Sequence, residues 1–177
     1  RKKNKNMYVA FLLPDLKGGG AQKMLINLAN WFARRGHRCD LILFSGEGIY
    51  ADLIADEVKV CQFNKCRAFQ AVPELVNYLN KNKPDVLLSA LYYVNVLALI
   101  SKGLCQHCPT KLVLSERNHF SQSLKRLSLL KRMFWRGLVS RFYPNSDYII
   151  GISDGVCDDL KTYLSRSVHK KIKTIYN

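Results

Sequence analysis

The chain has 177 residues, 48% apolar and 11% aromatic with only 5 prolines, which suits one packed domain and excludes a disordered, collagen-like or low-complexity protein. Its 28 Lys and Arg against 13 Asp and Glu give a formal charge of +15. Polar residues break every apolar run short of the ~18–20 residues that a bilayer-spanning helix needs, so no such helix is expected.

The basic start Arg1–Asn6 runs into Met7–Leu13, an apolar stretch ended by Pro14-Asp15 with no small-residue cleavage site after it. It reads as a strand rather than a signal peptide. Strands are expected at Tyr8–Leu13, Arg38–Phe44, Val58–Phe63, Asp85–Ser89, Lys111–Ser115, Tyr148–Ile152 and Ile172–Ile175. Helical spacing fills the gaps at about 20–35, 48–55, 70–82, 92–103, 121–142 and 154–164. The first helix presents Met24, Leu25, Leu28, Ala29, Trp31 and Phe32 on a broad apolar face and should stop at Arg34-Arg35-Gly36. Near-continuous apolar strands such as Val86-Leu87-Leu88 imply burial on both faces. The expected fold class is therefore α/β, a doubly wound, mostly parallel, Rossmann-like sheet in one domain spanning 1–177.

Charge is local. Residues 1–6 hold four bases, 121–142 hold six and 161–173 hold five, none with an acid; the remaining 13 bases balance the 13 acids. Such segments attract phosphate on nucleic acid, an anionic membrane or a phosphorylated substrate. No recognisable RNA or DNA module accompanies them, so no nucleic-acid partner is expected, and a basic nucleic-acid-binding domain stays a lesser alternative. Six cysteines lack the density of a disulfide framework, so reduced thiols are expected. Cys105-Gln106-His107-Cys108 has zinc-type ligands, but no second ligand pair follows, and a plain loop before Pro109 is the expectation, with no metal.

Sheets of this kind bind ligands beyond the carboxyl ends of their strands. After the first strand, Gly18-Gly19-Gly20-Ala21 opens directly into a helix, a setting that allows close backbone approach and favours an anion. The turn is neither a P-loop nor G-x-G-x-x-G, and no acid ends the second strand, which argues against a nicotinamide site. Tyr93 and Asn95, after the fourth strand, suit stacking on a sugar ring and bonding its hydroxyls, or else ordinary core and capping. Ser153-Asp154 reads as a helix cap.

Met7–Leu16 with Gly18-Gly19-Gly20-Ala21-Gln22, Leu25-x-Asn27-Leu28-Ala29 and Arg35-Gly36-His37 resembles the amino-terminal half of family 4 glycosyltransferases. Three further stretches match in order: Leu112–Asn118, Ser146–Val156 with Asp159-Leu160, and Lys171–Asn177. Gln22-Lys23 departs from the family's frequent Glu-Arg. The resemblance implies one half of a GT-B enzyme, supplying the acceptor side of a cleft and inactive by itself. The whole enzyme would move a sugar from a nucleotide-sugar to a glycolipid or polysaccharide with retention, needing no cofactor or metal. The carboxy-terminal donor-binding domain is expected to lie outside this chain. The alternative is a non-enzymatic nucleotide- or sugar-binding domain of the same fold.

Carried over residue by residue, the resemblance implies donor-phosphate contacts at Gly19 and Gly20, with Gly18 and Ala21 as neighbours. It implies a catalytic Glu116 that orients or activates the acceptor hydroxyl, and acceptor contacts at Arg117 and Asn118 beside the Tyr93 and Asn95 already read as sugar contacts. Arg117 also suits a phosphate, and His119 lies past the key residues. Residues 121–142 read as one amphipathic helix with a stripe of Leu124, Leu127, Leu130, Phe134, Leu138 and Phe142, and with Lys125, Arg132 and Arg136 on another arc. That helix suits either the domain core or an anionic membrane surface. A polyprenyl-diphosphate saccharide or a lipopolysaccharide precursor would then be reached from the cytoplasmic face.

Overall fold

β1 (Tyr8–Leu13) alternates its side chains between two cores, Val9, Phe11 and Leu13 on one face and Ala10 and Leu12 on the other. An apolar strand with no polar face must be covered on both sides, and this one lies in the interior of the sheet. The computed structural model describes residues 6–46, 48–64, 68–106 and 108–176. Among these, β1 is joined by β2 (Arg38–Leu43), β3 (Val58–Gln62), β4 (Val86–Ala90), β5 (Lys111–Glu116), β6 (Tyr148–Gly151) and β7 (Ile172–Thr174). All pairings are parallel, in the order β3-β2-β1-β4-β5-β6-β7. Each of the seven expected strands is present within a residue or so of its predicted ends.

α1 (Gly20–Ala33) covers one face through Leu25, Ile26 and Ala29. It stops where Gly36, at φ +83°, donates to the Ala33 carbonyl and His37 to that of Phe32, a glycine-terminated last turn. The other face is packed by α2 (Val72–Asn82), α3 (Tyr92–Leu104) and α6 (Asp154–Lys161). Ser153 caps α6 by accepting from the Val156 amide at 3.3 Å, as its sequence position suggests.

Three helix expectations are corrected. Residues 48–55 form only a single 3-10 turn at Ala51–Leu53. The 154–164 helix ends at Lys161, and α7 (Arg166–His169) follows. The 121–142 helix is two helices, α4 (Phe120–Lys125) and α5 (Leu129–Phe142). Ser128, at φ −59° and ψ 157°, leaves the helical region between them, while Phe120 and Leu124 stay buried in the core. Serine at a helix entrance favours that extended geometry over continuation.

Asp40 on β2 is buried and accepts from the hydroxyls of Tyr8 at 2.6 Å and Tyr78 at 2.7 Å. This cluster, invisible in the sequence pattern, ties β1, β2 and α2 together. Burial and the adjoining carboxylate push the Tyr8 hydroxyl up to about 12.

Candidate functional site

The chain reverses its direction of sheet growth between β1 and β4, so the turns after these strands part and leave a crevice at the carboxyl edge. The turn after β1 holds Gly18 and Gly19 at φ +126° and +128°, a backbone region that residues with a Cβ rarely adopt. Gly20, Ala21 and Gln22 form the first turn of α1, whose amides have no intrahelical acceptor. No acid lies in that turn to neutralise the helix end.

The turn after β4 carries a strained residue, Leu91, at φ +77° and ψ 129° immediately before α3. Leu91, Gly19, Gly20, Ala21, Gln22, Arg117, Asn118 and Ile152 line one pocket of about 280 Å3. Gly19 and Gly20, expected at a phosphate, therefore share a pocket with Arg117 and Asn118, expected at an acceptor. The half-buried Arg117 thus lines the same pocket as the first turn of α1, whose amides have no intrahelical acceptor.

Glu116 ends β5 but turns into the core, where it is only 4% exposed. It accepts from Asn95 Nδ2 at 2.8 Å and from the Tyr143 hydroxyl. Asn95 also donates to the Ser115 carbonyl at 3.3 Å and accepts from the Ser89 hydroxyl at 2.7 Å. Burial pushes the Glu116 carboxyl up to about 7 from its ordinary 4.5, against the two hydrogen bonds, which pull it down. Two expectations are corrected here: neither Glu116 nor Asn95 reaches the crevice, because a carboxyl and an amide that satisfy each other inside the core present nothing to a ligand. The network instead locks the end of β5 to β4 and α3, directly behind Arg117.

Tyr93 does face the crevice, in a cavity of about 730 Å3 lined also by Pro14, Asp15, Lys17, Phe44, Ser45, Gly46, Gln62, Asn64 and Ala68. Burial and the nearby Asp15 carboxylate push its hydroxyl up to about 12. Asp15, Ser45, Gln62 and Asn64 had no site role in the sequence reading; their signal was their place at or just beyond the ends of β1, β2 and β3. His119 lies against Gly155 at the start of α6, outside both pockets.

Lys125 ends α4, whereas Arg132 and Arg136 lie on α5, so the three do not share one helical arc as expected. Of the expected core stripe, Leu124 is buried and Leu127, Leu138 and Phe142 are half-buried, but Leu130 and Phe134 are exposed. Trp135, between the stripes, supplies the inward contact instead, stacked on Phe69 and edge-on to Tyr92. The Cys105 thiol donates to the Ser101 carbonyl at 3.1 Å; His107 and Cys66 lie outside the described residues, as do Arg1–Lys5 and Asn177. Among the described residues no helix is long and apolar enough to cross a membrane.

Residues 18–177 match the family model described as Glycosyltransferase Family 4. A curated relative is 30% identical over 97% of this chain and 46% of its own length. It is the GalNAc-alpha-(1->4)-GalNAc-alpha-(1->3)-diNAcBac-PP-undecaprenol alpha-1,4-N-acetyl-D-galactosaminyltransferase of Campylobacter jejuni subsp. jejuni serotype O:2. Among solved structures, Anabaena HepE in complex with UDP superposes with a TM-score of 0.68 at 21% identity, over 97% of this chain and 44% of that one. Sucrose-phosphate synthase of Thermosynechococcus elongatus gives 0.72 at 10% identity, over 95% and 47%. The apo lipopolysaccharide outer core galactosyltransferase WaaB gives 0.62 at 18%, over 97% and 46%. The chain thus spans about half the length of the relatives it matches, and its Rossmann-like sheet has the fold of one half of theirs.

Proposed function

The chain belongs to glycosyltransferase family 4, and from that premise we propose that it serves the transfer of a sugar from a nucleotide-sugar to a lipid-linked or polysaccharide acceptor, with retention of configuration. The observation that carries this reading is the pocket shared by Gly19, Gly20 and Arg117 at the crevice. As the bond to the sugar breaks, negative charge grows on the departing nucleotide diphosphate. Preorganised amides and a guanidinium stabilise such charge more than that of the bound donor, which lowers the barrier. Because these groups meet the charge, the proposed reaction asks for no metal.

The 730 Å3 cavity beside this pocket would take the acceptor saccharide, with Tyr93 stacking on a sugar ring and Asp15, Ser45, Gln62 and Asn64 bonding hydroxyls. Glu116 and Asn95 act here as positioning residues that hold Arg117 and the strained Leu91 turn in place. The acceptor class is supported by the Campylobacter relative, whose name gives a diphosphoundecaprenol-linked saccharide, and the donor class by the UDP bound to HepE. A cytoplasmic site of action, at the inner face of the membrane, follows from that acceptor class.

The test is donor binding and turnover in the full-length protein. Arg117→Ala should weaken nucleotide-diphosphate binding by roughly 1.5–3 kcal/mol, the range for a hydrogen bond to a charged group. Gly20→Ala meets no atom within 4 Å and keeps an ordinary backbone angle, so it should fold normally while its methyl obstructs the anion. Turnover should survive a chelator. Unchanged nucleotide affinity in both variants would remove this pocket from the donor site.

A further inference from the structure

The first two turns of α5 face outward. Leu129 is 66% exposed, Leu130 81%, Met133 64% and Phe134 52%, and their i, i+1, i+4, i+5 spacing sets them on one side of the helix. The buried Val139 and the inward-stacked Trp135 form the opposite seam. A contiguous group of large exposed apolar side chains marks a surface that meets something other than water.

Charge identifies the occupant. From residue 118 to residue 146 the sequence contains no acid, and Lys125, Arg126, Lys131 and Arg136 are all exposed around the apolar group. Two copies meeting through this face would set like charges opposite each other, which opposes association. An anionic bilayer satisfies both features, since its headgroups pair with the bases and its acyl boundary receives the apolar side chains. We propose that the amino-terminal half of α5, with the end of α4, docks the protein on an anionic lipid bilayer by inserting Leu129, Leu130, Met133 and Phe134.

A groove of about 380 Å3 lined by Tyr92, Asn118, Gln122, Ser123, Arg126 and Leu127 leads from the crevice to this corner. Docking therefore brings the mouth of the site to the bilayer surface. The inference stands on exposure and charge, and it holds whether or not the proposed transfer does.

The experiment is cosedimentation of the full-length protein, without donor or acceptor, with phosphatidylcholine vesicles made with and without phosphatidylglycerol. Anionic vesicles should bind roughly tenfold or more tightly than neutral ones, with the advantage falling as salt rises. The double variant Leu130→Glu, Phe134→Glu should lose that binding while keeping its circular dichroism, because both side chains are more than half exposed and neither belongs to the buried core. Lys125→Glu with Lys131→Glu should remove the preference for anionic lipid.

Equal binding to neutral and anionic vesicles, or a double variant that sediments like the unaltered protein, overturns the proposal. So does a vesicle-blind protein: a halved mass in the double variant would then assign the face to a second copy, and an unchanged mass to another part of the same chain. A docking-deficient variant that still glycosylates a soluble acceptor analogue would leave the transferase reading standing.

Discussion

A carboxyl group sealed between Asn95 and Tyr143 holds its proton differently in the folded and unfolded chain. Glu116 has its folded value raised to about 7 by burial, from an ordinary 4.5. Below about pH 4.5 both states hold the proton, and between there and about 7 only the folded state does. Its contribution to stability is therefore complete at low pH and lost as pH rises through the folded value. In urea unfolding between pH 4.5 and 8, this group should lower stability by on the order of a few kcal/mol across that window. Glu116→Gln should flatten the slope, and an unchanged slope would show that the carboxyl does not titrate there. The position of Glu116 at a strand end was legible in the sequence, but the face it turned to was not. One residue of alternation decides between crevice and core, and a six-residue strand bearing a single acid does not announce which.

Among the elements, the strands were the most legible because each carries an apolar run of the length a buried parallel strand needs. Helix ends were legible where a side chain or glycine makes the cap. Ser153 is such a case: it accepts from the Val156 amide at the entrance of α6, and Asp154 beside it bonds Thr174 and Tyr176. Ser153→Ala should cost about 1 kcal/mol in denaturant unfolding, and an undisturbed midpoint would mean that the cap is redundant. The segment from α4 to α5 was misread because its apolar residues follow helical spacing without a break. Spacing counts apolar positions and cannot say that Trp135, rather than Leu130 and Phe134, faces Phe69 and Tyr92.

At the scale of the whole molecule, the sheet order makes β1 and β4 interior strands and leaves β3 and β7 at the edges. Backbone amides flanked on both sides by paired strands open only with the whole domain, whereas edge amides open locally. Hydrogen exchange should therefore be slowest in Ala10–Leu12 and Leu87–Ser89 and fastest, among the strands, in Val58–Gln62 and Ile172–Thr174. Equal protection across the sheet would contradict this hierarchy. The same order creates the crevice, since the turns after two adjacent strands diverge only where the direction of winding reverses.

By itself the sequence determined the fold class, the seven strands, the glycine turn and the local nature of the positive charge. These follow from short-range rules: alternation, apolar run length, capping chemistry and residues that tolerate a positive φ. Only the tertiary structure decided that Arg117 stands at the glycine turn and that Glu116 and Asn95 turn away from it. It alone decided that half of an apolar helical stripe faces solvent. Each of these depends on which elements become neighbours across 21 or more residues of chain, and that is fixed by packing two cores against one twisted sheet.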